Sequence, residues 1–309
     1  MKRFFVAIAA IALAATMASA QDFSAAVELF NNGAQAFSDG NKVEAVNFYK
    51  EALTQFTACE EEEAAEKAAQ LKELIPNICI SIANDQIKES DFDGALTTLA
   101  EAKALATEYG NEEAIAKADE KVAGTYMAKG NALLKAKDFN GAADALKEAV
   151  ALKAEDAKAQ LLLGQALLQS GAADAAIVAL EKAAELGETQ APKLLSTSYL
   201  KKGQALLKAG KNADAIEALE KSNSYVESAN AYKLMANAYT KSGKNKEAIG
   251  AYKKYLEVDP GAKDAADINL TIAATAQKSG DKATAVEYYK KLAGTKHAAT
   301  AEAQLKTLK

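Results

Sequence analysis

The chain has 309 residues, 50% hydrophobic but only 6% aromatic, with no Trp, 3 Pro and 17 Gly. Its bulk is Ala, Leu, Glu and Lys, the strong helix formers, which excludes a β-sandwich or barrel, a collagen-like chain and a disulfide-stapled mini-protein. The apolar half excludes wholesale disorder, and a net charge of −5 without a basic tract argues against nucleic acid, which demands clustered Lys and Arg.

In chain order the first element is an export leader. Lys2 and Arg3 form a positive start, residues 4–15 are unbroken apolar, and Ala18-Ser19-Ala20 is an A-x-A cleavage signal. The apolar run is short for a spanning helix, which needs ~20 such residues, and no basic stop-transfer cluster follows it. Residue 21 is Gln21 rather than Cys, which argues against a lipid anchor. The expectation is a signal peptide at 1–20, cleaved near Ala20, and a soluble exported product, periplasmic or secreted, with no stable membrane insertion.

Next comes a pattern that recurs seven times. Four copies can be laid over one another, from Gly130 (GNALLKAKDFNGAADALKEAVAL), Gly164 (GQALLQSGAADAAIVALEKAAEL), Gly203 (GQALLKAGKNADAIEALEKSNSY) and Ala236 (ANAYTKSGKNKEAIGAYKKYLEVDP). Fainter copies begin at Gly33, Ala83 and Ala273, so successive starts lie 50, 47, 34, 39, 33 and 37 residues apart. Within each copy the apolar positions fall at three- and four-residue spacing, so both halves are predicted amphipathic helices. Polar punctuation separates the halves: Asp39-Gly40-Asn41, Ser90-Asp91, Lys137-Asp138, Gly171, Gly210-Lys211, Gly243-Lys244 and Gly280-Asp281. Twelve residues past each start is a second small residue (Ala45, Ala95, Ala142, Ala176, Ala215, Ala248, Ala285). Four further on is a large one (Tyr49, Leu99, Leu146, Leu180, Leu219, Tyr252, Tyr289).

Small residues at both facing sites let two helices approach closely while the large one wedges between neighbours. The pattern resembles the tetratricopeptide repeat (TPR), an antiparallel helix pair repeating at about 34 residues. Val258-Asp259-Pro260 matches a typical repeat ending, and the likeness covers nearly all of 22–292. Departures exist: a third small position is kept by Ala52, Ala102, Ala149 and Ala183 but is Ser222, Tyr255 and Leu292 in the last three copies. The resemblance implies an all-α fold, a right-handed superhelical α-solenoid of about seven TPR-like helix pairs plus a C-terminal capping helix.

The two long spacings are read as lengthened first helices over 61–90 and 111–136, starting after breaks near Cys59 and Gly110. Glu60–Glu63 and Glu112-Glu113 then sit in first turns, where negative charge complements the helix dipole. Pro76 either kinks its helix or starts a new one. Cys59 and Cys79, the only thiols, lie most of a helix apart, roughly 20–30 Å, against a Cα limit near 7 Å for a disulfide, so free thiols are expected. The predicted divisions are 1–20 signal peptide, 21–60 first repeat, 61–122 irregular repeat, 123–292 regular array and 293–309 cap. In the cap, Ala298, Ala301, Leu305 and Leu308 share one side, and His297, the one histidine, starts the helix as a surface residue.

No constellation of catalytic residues is present. His297 stands alone, there is no H-E-x-x-H or paired-Cys metal set, and no phosphate-binding loop. The expectation is a non-enzyme with no cofactor and no metal. Asn269-Leu270-Thr271 has the form of a glycosylation sequon but lies inside a predicted helix and is taken as coincidence. What remains is surface. In the resembled fold the first helices line a concave groove, and the residues one past the small Gly or Ala are Asn84, Asn131, Gln165, Gln204 and Asn237. Four residues further stand Lys88, Lys135, Gln169, Lys208, Lys241 and, in the last copy, Lys278, and Leu134, Leu161, Leu168, Leu200 and Leu207 between them either offer apolar contact or form the inner edge of repeat packing. Carboxamides can donate to and accept from a peptide backbone, and lysines pair with carboxylates. The function this implies is an exported scaffold or adaptor that binds a protein or extended peptide in its groove, within a bacterial envelope assembly. The alternative is a non-catalytic module for envelope glycan or oligosaccharide, disfavoured by the scarcity of aromatic platforms.

Overall fold

The computed structural model describes residues 23–308; the leader at 1–20 lies outside them. The described residues form fifteen helices and no strand. They run as seven hairpins: α1 (Phe23–Ser38) with α2 (Lys42–Ala58), α3 (Glu62–Lys88) with α4 (Phe92–Tyr109), and α5 (Glu112–Lys135) with α6 (Phe139–Leu152). Then follow α7 (Ala157–Gln169) with α8 (Ala173–Glu185), α9 (Ala191–Lys208) with α10 (Asn212–Tyr225), α11 (Ala229–Lys241) with α12 (Asn245–Val258), and α13 (Ala265–Lys278) with α14 (Lys282–Lys290). A single helix, α15 (Ala298–Thr307), ends the chain. The described residues fall into two compact units, one up to Thr125 and one from Tyr126, the division falling within α5.

The hairpin turns follow from residue chemistry. Gly40, Gly171, Gly210, Gly243 and Gly280 hold the left-handed conformation there, with φ between 70° and 90°. The two hairpins without such a glycine put Ser90 and Lys137 into the same region, at φ 65° and 63°. That costs an L-residue roughly 1–2 kcal/mol. Both are followed by an aspartate that caps the next helix: Gly94 N–H donates to Asp91 at 3.1 Å and Gly141 N–H to Asp138 at 3.0 Å. Such a cap contributes about 1 kcal/mol and offsets much of the strain.

Inside each hairpin the small residue at the repeat start meets the large one sixteen positions on. A Cβ added at Gly130 would lie 2.4 Å from Leu146 Cγ, at Gly164 2.5 Å from Leu180 Cγ, and at Gly203 2.7 Å from Leu219 Cγ. Leu99, Leu146, Leu180 and Leu219 are fully buried. The three copies that depart at the third small position still bury what they have there. Ser222 is sealed by donating to the Ser196 carbonyl at 2.8 Å, Leu292 is fully buried, and Tyr255 turns its hydroxyl to Asp264.

In the first unit α3 is 27 residues long and runs through buried Pro76 without ending there. Cys79 is buried, which pushes its thiol up to about 12, and Cys59 donates weakly to the Gln55 carbonyl at 3.3 Å; no disulfide joins them. Asp85 fastens α3 to α2. It pairs with Lys42, which also donates to Ser81 at 2.9 Å, and with Lys88 at 2.8 Å. Hydrogen bonds from Lys42 and then Lys88 hold the Asp85 carboxyl down from 3.8 to about 2. A depressed carboxyl stabilises the fold above its unfolded value and loses that contribution as pH falls through the folded one. Asp85→Asn is therefore expected to melt below the native protein at pH 7, with the gap closing between about pH 4 and pH 2 in thermal melts followed by circular dichroism.

The chain end is more firmly fastened than a surface histidine suggests. His297 Nε2 lies 2.6 Å from Asp267 on α13, and Lys296 pairs with the same carboxylate at 2.8 Å. This corrects the reading of His297 as a plain surface residue: its side chain is 22% exposed and tethers the entry to α15. From there Ala301 is buried and Leu305 and Leu308 pack onto the core that includes Ile272 and Leu292.

Candidate functional site

Within the second unit, α9 and α11 lie side by side and flank an open, groove-like cavity of about 680 Å³. Its lining is Gln204, Leu207 and Lys208 from α9, and Leu234, Asn237, Thr240 and Lys241 from α11. The helical repeat explains the set. Gln204 and Asn237 each follow the small residue of their copy (Gly203, Ala236), Leu207 and Thr240 come three later, and the lysines are next. Residues three and four apart share a helix face, so the same stripe of two neighbouring helices converges.

The walls are apolar low down and cationic at the rim. Leu207 and Leu234 are half-buried against the core of the second unit, whereas Lys208 and Lys241 are exposed. No acidic residue lines the cavity. Some lysines of this unit are compensated, as in Lys147 with Asp144 at 3.0 Å, Lys202 with Asp174 at 2.7 Å and Lys291 with Glu287 at 2.8 Å. On α11 itself Lys233 is taken by Asp264 and lies over the Tyr255 ring. Among the described residues Lys208 and Lys241 have no ion pair, so a chain of net charge −5 sets two uncompensated ammonium groups on one small surface. Asn237 is oriented from behind: Tyr252 on α12 donates its hydroxyl hydrogen to Asn237 Oδ1 at 2.7 Å. Thr240 spends its own on the Ala236 carbonyl at 2.8 Å.

Of the residues expected at the groove, Gln204, Lys208, Asn237 and Lys241 come together here, while Asn131, Lys135, Gln165 and Lys278 belong to the same unit without lining this cavity. Asn84 and Lys88 belong to the first unit, where Lys88 is engaged by Asp85. Of the leucines between the stripes, Leu161 and Leu168 are 7% and 2% exposed and form part of the core, as repeat packing requires. Leu234 and Thr240 were not anticipated. For Thr240 the signal was present, since it aligns with Leu207 one copy earlier. Among the described residues no three His, Cys, Asp or Glu side chains gather as a metal site, and no helix is long and apolar enough to cross a membrane.

Repeated helix hairpins that pair a small residue with a large one, with polar stripes left on the first helices, define a helical-repeat protein. Residues 127–193 and 200–265, somewhat under half of the chain, match the family model of the tetratricopeptide repeat. Solved structures similar to it include MamA, at 26% identity over 55% of this chain and 89% of that one with a TM-score of 0.39. YrrB, described as a TPR protein with an unusual peptide-binding site, matches at 19% identity over 59% and 91%, TM-score 0.38. PilF of Pseudomonas aeruginosa matches at 18% over 77% and 99%, TM-score 0.35. No curated protein matches the sequence.

Proposed function

We propose that this protein is an exported, non-catalytic TPR scaffold or adaptor, acting in a bacterial envelope assembly, whose second unit grips an acidic segment of a partner protein between α9 and α11. The observation that carries this reading is the charge of the cavity. Two lysines without intramolecular partners face it, two carboxamides stand beside them, and no carboxylate lines it. Lysine ammonium groups are donors only, so the complementary ligand is one rich in carboxylates. Leu207 and Leu234 supply contact for the ligand's aliphatic stems. The glycan alternative is not favoured, because no aromatic ring lines the cavity to serve a sugar face. Export rests on the leader pattern of residues 1–20.

Site-specific photocrosslinking in the native organism tests the reading. A photoreactive side chain at Thr240, in the cavity, should give a discrete adduct with a partner protein through an acidic stretch. The same group at Val178, which is 69% exposed on α8 and outside the cavity, should not. Capture from Val178 alone, or attachment through a segment without acidic residues, would overturn it.

A further inference from the structure

We infer that Tyr252 is a positioning residue: it fixes the Asn237 carboxamide with its N–H groups toward the cavity and so makes the site select side-chain carboxylates over neutral amides. The inference rests on the acidic-segment reading above and deepens it.

A carboxamide on a helix surface ordinarily presents either end, donor or acceptor, because turning it over costs little. Asn237 is denied that freedom. The Tyr252 hydroxyl, carried on a side chain only 5% exposed, donates to its Oδ1 at 2.7 Å, which ties up the carbonyl and leaves the NH2 group for a ligand. The orientation runs against the local electrostatics. Beside the Lys208 and Lys241 ammonium groups, the amide oxygen would be the better end to show in an empty cavity, and the hydroxyl holds the positive end there instead. An arrangement of donors that is unfavourable when empty and favourable around an anion is preorganised for that anion.

The other copies show that the pairing belongs to this cavity. Asn84, Asn131, Gln165 and Gln204 belong to copies whose large residue is Leu99, Leu146, Leu180 or Leu219, none of which has a hydroxyl. The Tyr49 and Tyr289 copies have Ala34 and Ala274 where the carboxamide would stand, and Tyr289 donates instead to Gln277 at 2.7 Å. Only the copy starting at Ala236 has both tyrosine and carboxamide, and that copy lines the cavity. A tyrosine fills the wedge position that leucine fills elsewhere, and its hydroxyl is the part that packing does not require.

The test is fluorescence anisotropy with two labelled peptides, hexaglutamate and hexaglutamine, both amidated at the C-terminus, against the full exported chain. The native protein should prefer hexaglutamate. Tyr252→Phe, which keeps the ring, should weaken hexaglutamate about 5- to 10-fold, within the range of a lost uncharged hydrogen bond, and leave hexaglutamine unchanged. Asn237→Ala should weaken it similarly, and the Tyr252→Phe/Asn237→Ala pair should be no worse than Asn237→Ala alone. If Tyr252→Phe weakens both peptides equally, or adds fully to Asn237→Ala, Tyr252 is a packing residue and the inference fails while the acidic-segment reading stands. If only an unamidated peptide binds, the ligand is a terminal carboxylate and the side-chain assignment is overturned. If the native protein shows no preference for hexaglutamate, the acidic-segment reading fails and this inference with it.

Discussion

Gly164→Val is expected to unfold the hairpin of α7 and α8 and to cost the second unit about 3 kcal/mol or more in urea denaturation. The new Cβ would sit 2.5 Å from Leu180 Cγ and 2.6 Å from its Cδ2, with the Ala176 carbonyl oxygen at 3.3 Å on the same side. Leu180 is fully buried and has nowhere to retreat, and the backbone oxygen blocks a simple slide of α7 over α8. Replacing a helix-interior glycine gains under about 1 kcal/mol of propensity, less for a β-branched residue, which does not offset the overlap. The control is Gly250→Ala on α12, where a Cβ meets nothing within 4 Å. That change should stabilise by roughly 0.5–1 kcal/mol. Opposite signs at two helix glycines would show that close approach, and not helix propensity, sets the small residue at the repeat start. A Gly164→Val protein within about 1 kcal/mol of the native chain would contradict this account of the hairpin.

The hairpins could be read from the chain because one sequence states the rule seven times. Gly130, Gly164 and Gly203 are small for the same reason, a leucine sixteen residues later, and repetition makes a local steric requirement visible without a structure. The turns were legible through their glycines, and Asp91 and Asp138 showed where helices begin even though the left-handed residues before them, Ser90 and Lys137, carry no such signal. The groove was legible only to its stripe. Lys208 and Lys241 could be placed on one face from spacing, but whether a neighbouring leucine faces outward or joins the core depends on small rotations of each helix. Leu207 faces the cavity and Leu168, its equivalent one copy earlier, is buried. Side-chain hydrogen bonds from one helix to another were not legible. His297 finds Asp267 thirty residues away, and Ser196 finds Ser222 across a hairpin, through packing that no periodicity encodes. The Tyr252–Asn237 hydrogen bond belongs to the same class. Tyrosine at a wedge position reads as bulk, and only the structure shows where its hydroxyl ends.

Charge reversal at the cavity rim is the other large effect, and it bears on the central claim that this cavity receives an acidic segment. An exposed ion pair contributes about 0.2–1 kcal/mol, and reversal replaces each attraction by a repulsion. Lys208→Glu/Lys241→Glu should therefore cost roughly 2–3 kcal/mol, a loss of about 30- to 150-fold in affinity for amidated hexaglutamate. The effect should shrink as salt rises, because screening acts on exposed charges. The fold should not respond, since neither lysine is ion-paired within the chain and both are exposed. Lys278→Glu changes the charge by the same sign in the same unit but away from the cavity, and should alter binding less than about twofold. The decisive measurement is the anisotropy titration of these variants beside the native protein at matched helicity. The account predicts that binding collapses in the double variant and persists in Lys278→Glu. Equal affinity in the double variant and the native chain, or an equal loss in Lys278→Glu, would contradict it.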